Sequence, residues 1–172
     1  YYVWETLARQ KQLLIEIVKP EESLFGRGQV WNEKVLRAID QNTCAVACSH
    51  IHWADGTLFH LEEFRNACDQ VGACLIIDGS QSIGALPFSI EKIRPDALIT
   101  AGYKWLFGPY GMGFAYYNEK FDQGKAMEQN WINRKNSDDF KSLVNYEKEY
   151  KPFANRYSYG EHSDFIKIPM CI

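Results

Sequence analysis

Two short apolar runs, each followed by an ionisable side chain, constrain this chain more than any other feature. Residues 74–77 lead directly into Asp78, and residues 97–101 are followed closely by Lys104. Short apolar runs bounded by polar or turn residues are typical of buried strands in a parallel sheet. Because ligands of such sheets bind outside the carboxyl ends of the strands, we expect Asp78 and Lys104 at the same sheet edge. A carboxylate and an amine placed there, 26 residues apart in the chain, could hold an aromatic cofactor between them.

The chain around these two runs alternates between strand and helix patterns. This alternation predicts an α/β fold, a three-layer sandwich with a mainly parallel sheet. The tight turn at 108–111 predicts an antiparallel hairpin, since a parallel crossover needs a much longer connection. The remaining elements are predicted as strands at 13–18, 43–48 and 112–117, helices at 31–39 and 58–71, and a helical turn at 89–93.

A change in composition after Phe121 divides the chain into two parts. Residues 1–121 are predicted to belong to one large α/β domain. Residues 122–172 form the second part, in which residues 122–155 are polar and a helix is expected near 138–144.

Charge and cysteine usage exclude several classes of protein. The 172 residues carry a net charge of −3, so there is no basic nucleic-acid footprint. The five cysteines form no Cys-x-x-Cys pair and no zinc-site spacing, which favours reduced thiols, no metal site and a cytoplasmic location. No apolar segment approaches the ~18 residues of a membrane span, and no signal peptide is visible. A Rossmann dehydrogenase is excluded for want of a Gly-x-Gly-x-x-Gly turn.

The motifs IIDGSQSIGALP and ITAGYKWLFGPYGMG resemble those of the class V aminotransferase group. These are pyridoxal-phosphate enzymes of fold type I, and they include cysteine desulfurases, kynureninases and isopenicillin-N epimerases. The shared signature is a strand, Asp-x-[Ala/Ser]-[Gln/His], a second strand, and a Lys preceded by His or Tyr and followed by a Gly-Pro turn. The resemblance implies the pyridoxal-phosphate-binding large domain. It also implies a partial chain, because this chain starts at Tyr1 without Met, inside that domain.

The resemblance implies a role for each ionisable residue of the two motifs. Lys104 would be the catalytic lysine, which condenses with the aldehyde of pyridoxal 5'-phosphate and later carries a proton between Cα and C4′ of the adduct. Asp78 would pair with the pyridine nitrogen and keep it protonated, so that the ring accepts electrons.

Further cofactor-binding residues are implied on the same two motifs. Ser80 would lie under the ring face, Gln81 would donate to the phenolate oxygen, and Tyr103 would hold the cofactor phosphate. Each also has an ordinary structural interpretation, such as a polar residue at a helix start for Gln81.

Two more candidates lie outside the motifs. The loop after residues 43–48 places either His52 or Trp53 where relatives carry an Asn near the cofactor, and we select His52. Trp131 follows Lys104 by 27 residues, the position of a kynureninase Trp that contacts the phosphate from the partner subunit. For Arg156, in a segment resembling the family's Arg-aromatic-x-x-Gly motif, a site role and a simple ion pair both stay open.

The resemblance implies Schiff-base chemistry on a small amino acid or amine, and an aminotransferase is the first hypothesis. Gln81 departs from the His of kynureninases, and Ala101 departs from a Ser that desulfurases carry three residues before the lysine. Epimerase, desulfurase or lyase chemistry stays open. So does a cofactor-free relative or a fragment kept for dimerisation. The resemblance also implies a homodimer, with sites completed by the partner subunit. It makes residues 122–172 an interface segment that leads toward a C-terminal small domain.

Overall fold

One four-stranded sheet forms the centre of the molecule. The computed structural model describes residues 1–22, 25–159 and 164–171. The strands are β1 (Ala45–Ser49), β2 (Cys74–Asp78), β3 (Ala97–Ala101) and β4 (Gly113–Tyr117), and they lie in the order β1-β2-β3-β4. The pairs β1–β2 and β2–β3 are parallel, whereas β3–β4 is antiparallel. The predicted mainly parallel sheet and its closing hairpin are therefore confirmed.

The helices predicted at 31–39 and 58–71 are present with shifted starts, and so is the helical turn predicted at 89–93. The described α-helices are α1 (Tyr2–Lys11), α2 (Arg27–Ala38), α3 (Leu61–Val71) and the single turn α4 (Ile90–Ile93). Three 3₁₀ turns follow the sheet, at Glu119–Phe121, Phe153–Tyr157 and Pro169–Cys171. Helix α3 ends at Gly72, whose φ of 75° lies in the left-handed region that glycine adopts without strain. None of the described helices is long and apolar enough to cross a membrane.

The hydrophobic core lies between one face of the sheet and the helices. Leu75 and Ile77 of β2 are fully buried with Phe64 and Cys68 of α3. Because strand side chains alternate between faces, the neighbours of Leu75 and Ile77 in the strand point to the opposite face. That face is more open, and Ile99 of β3 keeps 42% of its surface exposed there.

A buried charge cluster closes the end of the sheet where the parallel strands begin. Both carboxylate oxygens of Asp96 are used, since Arg65 Nη1 lies 2.7 Å from Oδ2 and Lys120 Nζ lies 2.6 Å from Oδ1. The Leu75 N–H also donates to Oδ2 at 2.7 Å. Burial alone would raise the pKa of Asp96, but the hydrogen bonds from Lys120, Leu75 and Arg65 outweigh it and lower the pKa to about 2. The cluster ties α3 to β2, β3 and the exit of β4.

Two predicted elements are wrong. Residues 13–18 form no strand, and Leu14 is fully exposed. The segment is held instead by the Trp31 indole, which donates to the Val18 carbonyl oxygen at 2.8 Å. An apolar run becomes a strand only beside a neighbouring strand, and no described strand pairs with this one.

The helix predicted near 138–144 is a series of turns. Asp139 accepts from the Lys141 N–H at 3.1 Å, and Asn136 adopts a left-handed φ of 58°. Short polar side chains that bond nearby backbone groups compete with helix formation. The domain division at residue 121 stays a prediction. The residues after it pack partly on the sheet, through contacts of Phe153–Tyr157 with β4.

Candidate active site

Asp78 and Lys104 lie at the same edge of the sheet, as their positions after two apolar runs predict. Asp78 is the last residue of β2 and pairs with Ile99 of the parallel strand β3. Strand β3 ends two residues later at Ala101, and the turn that follows carries Lys104. Both side chains therefore belong to the carboxyl edge of adjacent parallel strands, where ligands of such sheets bind.

The turn after β2 is held in place by β3. The Gly79 N–H donates to the Ile99 carbonyl oxygen at 2.8 Å, and Ser80 Oγ accepts from the Ala101 N–H at 3.1 Å. Asp78 Oδ1 accepts from the Ser80 N–H at 2.9 Å, which sets the direction of the carboxylate. No cation of the described chain pairs with Asp78, which is exposed. Its carboxylate is therefore oriented and still free to meet a ligand.

The turn that carries Lys104 is closed by its own backbone. The Gly102 N–H donates to the Met112 carbonyl oxygen at 2.9 Å, and Gly108 donates back to Gly102 at 2.9 Å. The Phe107 N–H donates to the Lys104 carbonyl oxygen at 3.1 Å. The Lys104 side chain is half-buried, and its amine makes no hydrogen bond or ion pair with any described residue. A fixed backbone with an unengaged amine suits a nucleophile.

Tyr103 lies beside the lysine with its ring stacked on that of Tyr110. The ring centroids are 4.5 Å apart, and the planes differ by 17°. Both rings are substantially exposed, so the pair forms an aromatic wall at the lysine turn. Gln81, on the neighbouring turn, is half-buried, and its amide makes no hydrogen bond within the described residues.

His52 is oriented by a carboxylate on the loop after β1. Its Nδ1 lies 2.9 Å from Asp55 Oδ1, and its ring meets Trp31 edge-on with centroids 4.8 Å apart. Burial would raise the pKa of Asp55, but hydrogen bonds from the Thr57 N–H and from His52 lower the pKa to about 2. A carboxylate at Nδ1 favours the tautomer that leaves Nε2 as an acceptor. Trp53, the alternative candidate, is 79% exposed.

His50 is a candidate that the sequence interpretation missed. It follows β1, and its N–H donates to the Asp78 carbonyl oxygen at 3.1 Å. The side chain is buried, its Nδ1 has no hydrogen-bond partner in the described structure, and burial lowers its pKa. The available signal was the Ser-His-Ile-His sequence after the strand, which puts two imidazoles at this edge.

Two candidates do not join this edge of the sheet. The Trp131 ring packs edge-on against Phe140 in the segment after the sheet, with centroids 5.7 Å apart. Arg156 lies on the 3₁₀ turn Phe153–Tyr157, and its Nη1 donates to the Gly124 carbonyl oxygen at 3.0 Å. The Gly160 end of the Arg-aromatic-x-x-Gly motif lies outside the described residues.

The sheet with an acid and a lysine at one edge has the architecture of the fold type I pyridoxal-phosphate enzymes. A cysteine desulfurase structure from Escherichia coli superposes with a TM-score of 0.75 over 98% of this chain and 39% of that chain. At 13% identity this likeness concerns the fold alone. The Aminotransferase class-V family matches residues 1–132, and the chain belongs to that family. Enzymes of the family depend on pyridoxal phosphate.

The relatives carry two activities in their names. A probable cysteine desulfurase from Pyrococcus abyssi is 29% identical over 119 residues, which is 69% of this chain and 28% of that protein. A 2-aminoethylphosphonate–pyruvate transaminase from Pseudomonas fluorescens is 41% identical over 81 residues, 47% of this chain and 22% of that protein. The chain thus spans about a quarter of the length of the curated relatives that it matches.

Proposed function

We propose that this protein is a pyridoxal-phosphate-dependent enzyme that performs Schiff-base chemistry on a small amino acid or amine. One observation carries the proposal: Asp78 and Lys104 both lie at the carboxyl edge of adjacent parallel strands, and no described residue neutralises either one. A lysine used only for structure would normally be solvated or paired. The Asp78 carboxylate and the Lys104 amine are therefore available to a ligand that carries an electrophile and a basic ring nitrogen.

The residues present fit the cofactor. When bound, pyridoxal phosphate supplies an aldehyde and a ring that accepts electrons. The Lys104 amine would attack as a nucleophile and hold or release a proton at the substrate Cα. The Asp78 carboxylate would keep a proton on the facing ring nitrogen, because a nearby negative charge favours the protonated form.

Four further side chains are proposed to contact the cofactor. Ser80 is supported by its place between Asp78 and Ala101, and Gln81 by an amide without a described partner. Tyr103 is supported by its exposed ring on the lysine turn, and His52 by the Asp55 carboxylate that orients it.

Trp131 is the fifth proposed contact. It packs against Phe140 in this chain, so a role for it at the cofactor requires the partner subunit.

Within this chemistry we favour transamination. Gln81 and Ala101 depart from the residues expected in kynureninases and desulfurases, respectively. Desulfuration also needs a nucleophile that accepts sulfur. Two thiols of this chain are poor candidates, since burial raises the pKa of Cys48 to about 12 and that of Cys68 to about 11. The desulfurase alternative is supported by the names of several relatives.

Product analysis separates the two reactions. Full-length protein loaded with pyridoxal phosphate would be given a panel of amino donors with a 2-oxo acid, and separately L-cysteine. We expect a new amino acid to form in step with the oxo product of the donor, and no sulfide from cysteine. Alanine formed from L-cysteine, with its sulfur released as sulfide by an added thiol reductant, would select the desulfurase. Lys104→Ala is expected to abolish either activity, and Lys92→Ala, on the exposed α4 turn, is the matched control.

We also propose a homodimer in the cytoplasm. Exposed apolar side chains surround the lysine turn, and Phe107 and Tyr110 keep 85% and 77% of their surface exposed. Clustered exposed apolar side chains mark interaction surfaces, and a second copy of the chain is the proposed partner. The cytoplasmic location is supported by five cysteines that are free thiols.

A further inference from the structure

A cleft of about 640 Å³ lies at the end of the sheet away from Lys104. Its position follows from the register: Tyr117, the last residue of β4, pairs with Ala97, the first residue of β3. The chain therefore leaves β4 where the parallel strands begin, whereas Lys104 follows the end of β3. The walls of the cleft come from residues 123–125 and from the segment 135–156.

The lining of this cleft is strongly cationic. Four basic side chains contribute to it, namely Lys125, Lys135, Lys148 and Arg156. The one carboxylate in the lining, that of Glu149, already pairs with Lys135 at 3.0 Å. No carboxylate of the described chain pairs with the other three cations. The cleft therefore carries a net positive charge that a ligand could neutralise.

Arg156 is a buried cation that pairs with no carboxylate of the described chain. Only 8% of its surface is exposed, and its Nε is buried without a hydrogen-bond acceptor among the described residues. Its guanidinium donates from Nη1 to the Gly124 carbonyl oxygen at 3.0 Å and lies 6.0 Å from the centroid of the Tyr150 ring, while a guanidinium has five N–H donors to satisfy. A buried cation without a counter-charge is destabilising, so an anion bound here would compensate it.

We propose that this cleft binds a multiply charged oxyanion, of the kind carried by a phosphorylated small molecule. The planar fork of Arg156 matches phosphate and carboxylate oxygens in a bidentate way. Lys125 and Lys148 are exposed, and they supply point charges to the lining of the cleft. The site is separate from the Lys104 edge, so it does not depend on the proposed enzyme activity.

Calorimetric titration of full-length protein tests the proposal. The protein is first saturated with pyridoxal phosphate, so that a cofactor site at Lys104 does not contribute. Inorganic pyrophosphate and citrate are then titrated separately, because phosphate and carboxylate groups share this chemistry. We expect saturable binding of one anion per chain that weakens as NaCl is added, and the tighter anion identifies the class of the natural ligand.

Charge-neutralising variants decide whether the binding belongs to this cleft. The double variant Lys125→Gln/Lys148→Gln is expected to raise Kd about tenfold or more, since it removes two charge-assisted contacts. Arg156→Lys should also weaken binding, because it loses the bidentate fork. Lys92→Gln, on α4 and outside the cleft, should bind as the unmodified protein does.

Two results would overturn the proposal. One is the absence of saturable binding of either anion. The other is equal affinity in the unmodified protein and the lysine double variant. The two lysines are exposed, so the double variant keeps the test decisive even if substitution of the buried Arg156 unfolds the protein.

Discussion

Gly84 lies directly against the main chain of Trp105, the residue that follows Lys104. A Cβ atom on Gly84 would stand 2.4 Å from the Trp105 carbonyl oxygen, and the φ of Gly84 is +93°. The turn after β2, which begins at Asp78, is thus packed against the turn that carries the lysine. This contact fixes the two proposed catalytic groups relative to each other, although neither of them takes part in it.

Gly84→Ala is therefore expected to destabilise the protein by about 2–4 kcal/mol, because it adds a clash with backbone to an unfavourable φ. Gly56→Ala is the matched control, since Gly56 has a φ of +73° with open space around it. The control should lose only about 1 kcal/mol. Urea unfolding measures both values, and equal losses would show that the Gly84–Trp105 contact is not as close as described.

Asp96 should give the protein a steep loss of stability in acid. Its pKa is about 2 when folded, below the ordinary value of 3.8, so its contribution is fully present above about pH 4. The contribution is lost as the pH falls toward 2, where the folded carboxylate takes up its proton, and it amounts to about 2 kcal/mol.

Unfolding free energies measured between pH 6 and pH 2 test this assignment. Asp96→Asn should lower stability near neutral pH, because it removes the buried carboxylate that pairs with Arg65 and leaves the exposed Asp69 as the remaining partner in the described structure. It should also make the unfolding free energy fall less steeply as the pH is lowered. Asp122→Asn removes a carboxylate with no ion pair in the described structure. Its unfolding free energy should fall with decreasing pH as in the unmodified protein. If the unfolding free energy of Asp96→Asn fell with decreasing pH as steeply as that of the unmodified protein, the role of the buried cluster would be contradicted.

Asp78→Asn is expected to separate catalysis from folding. The amide oxygen can still accept from the Ser80 N–H, so the turn and the unfolding free energy should be preserved. The negative charge is lost, and kcat/KM should fall by about 10²-fold or more, as for other preorganised electrostatic groups. Activity within about twofold of the unmodified enzyme would remove Asp78 from the proposed mechanism.

Phe107→Glu should disrupt the proposed homodimer. Phe107 is exposed on the lysine turn, and a carboxylate there would have to be desolvated in an apolar interface. Light scattering should report twice the chain mass for the unmodified full-length protein and the single-chain mass for the variant. Tyr2→Glu, at an exposed aromatic residue of α1 and outside the lysine turn, should stay dimeric. A monomeric unmodified protein would contradict the dimer directly.

The sheet edge with Asp78 and Lys104 was predictable because its signals are local. Each apolar run is short, is bounded by turn residues and lies within a few positions of its ionisable group. The segment 13–18 has an equally apolar run, but a strand also needs a neighbouring strand. The backbone of this segment instead accepts a hydrogen bond from the Trp31 indole. The cofactor contacts inferred from the motifs stay predictions, since they concern a ligand rather than the chain itself.

Features that join distant residues were not predictable from the sequence. The cationic cleft depends on Arg156 reaching the Gly124 carbonyl oxygen, 32 positions earlier in the chain. The burial of His50 likewise depends on Phe88, whose ring meets it edge-on at 5.6 Å. The turns at 138–144 are set by competing side-chain hydrogen bonds such as that of Asp139, and a composition rich in polar residues does not distinguish these turns from a helix.

The central claim is that Lys104 is the residue that reacts with pyridoxal phosphate. Its most direct test is to treat cofactor-loaded, full-length protein with borohydride and to locate the covalently attached cofactor by peptide mass mapping. We predict one label per chain, on Lys104, and its loss in Lys104→Ala. A label on another lysine, or no label on a protein that remains folded, would contradict the assignment.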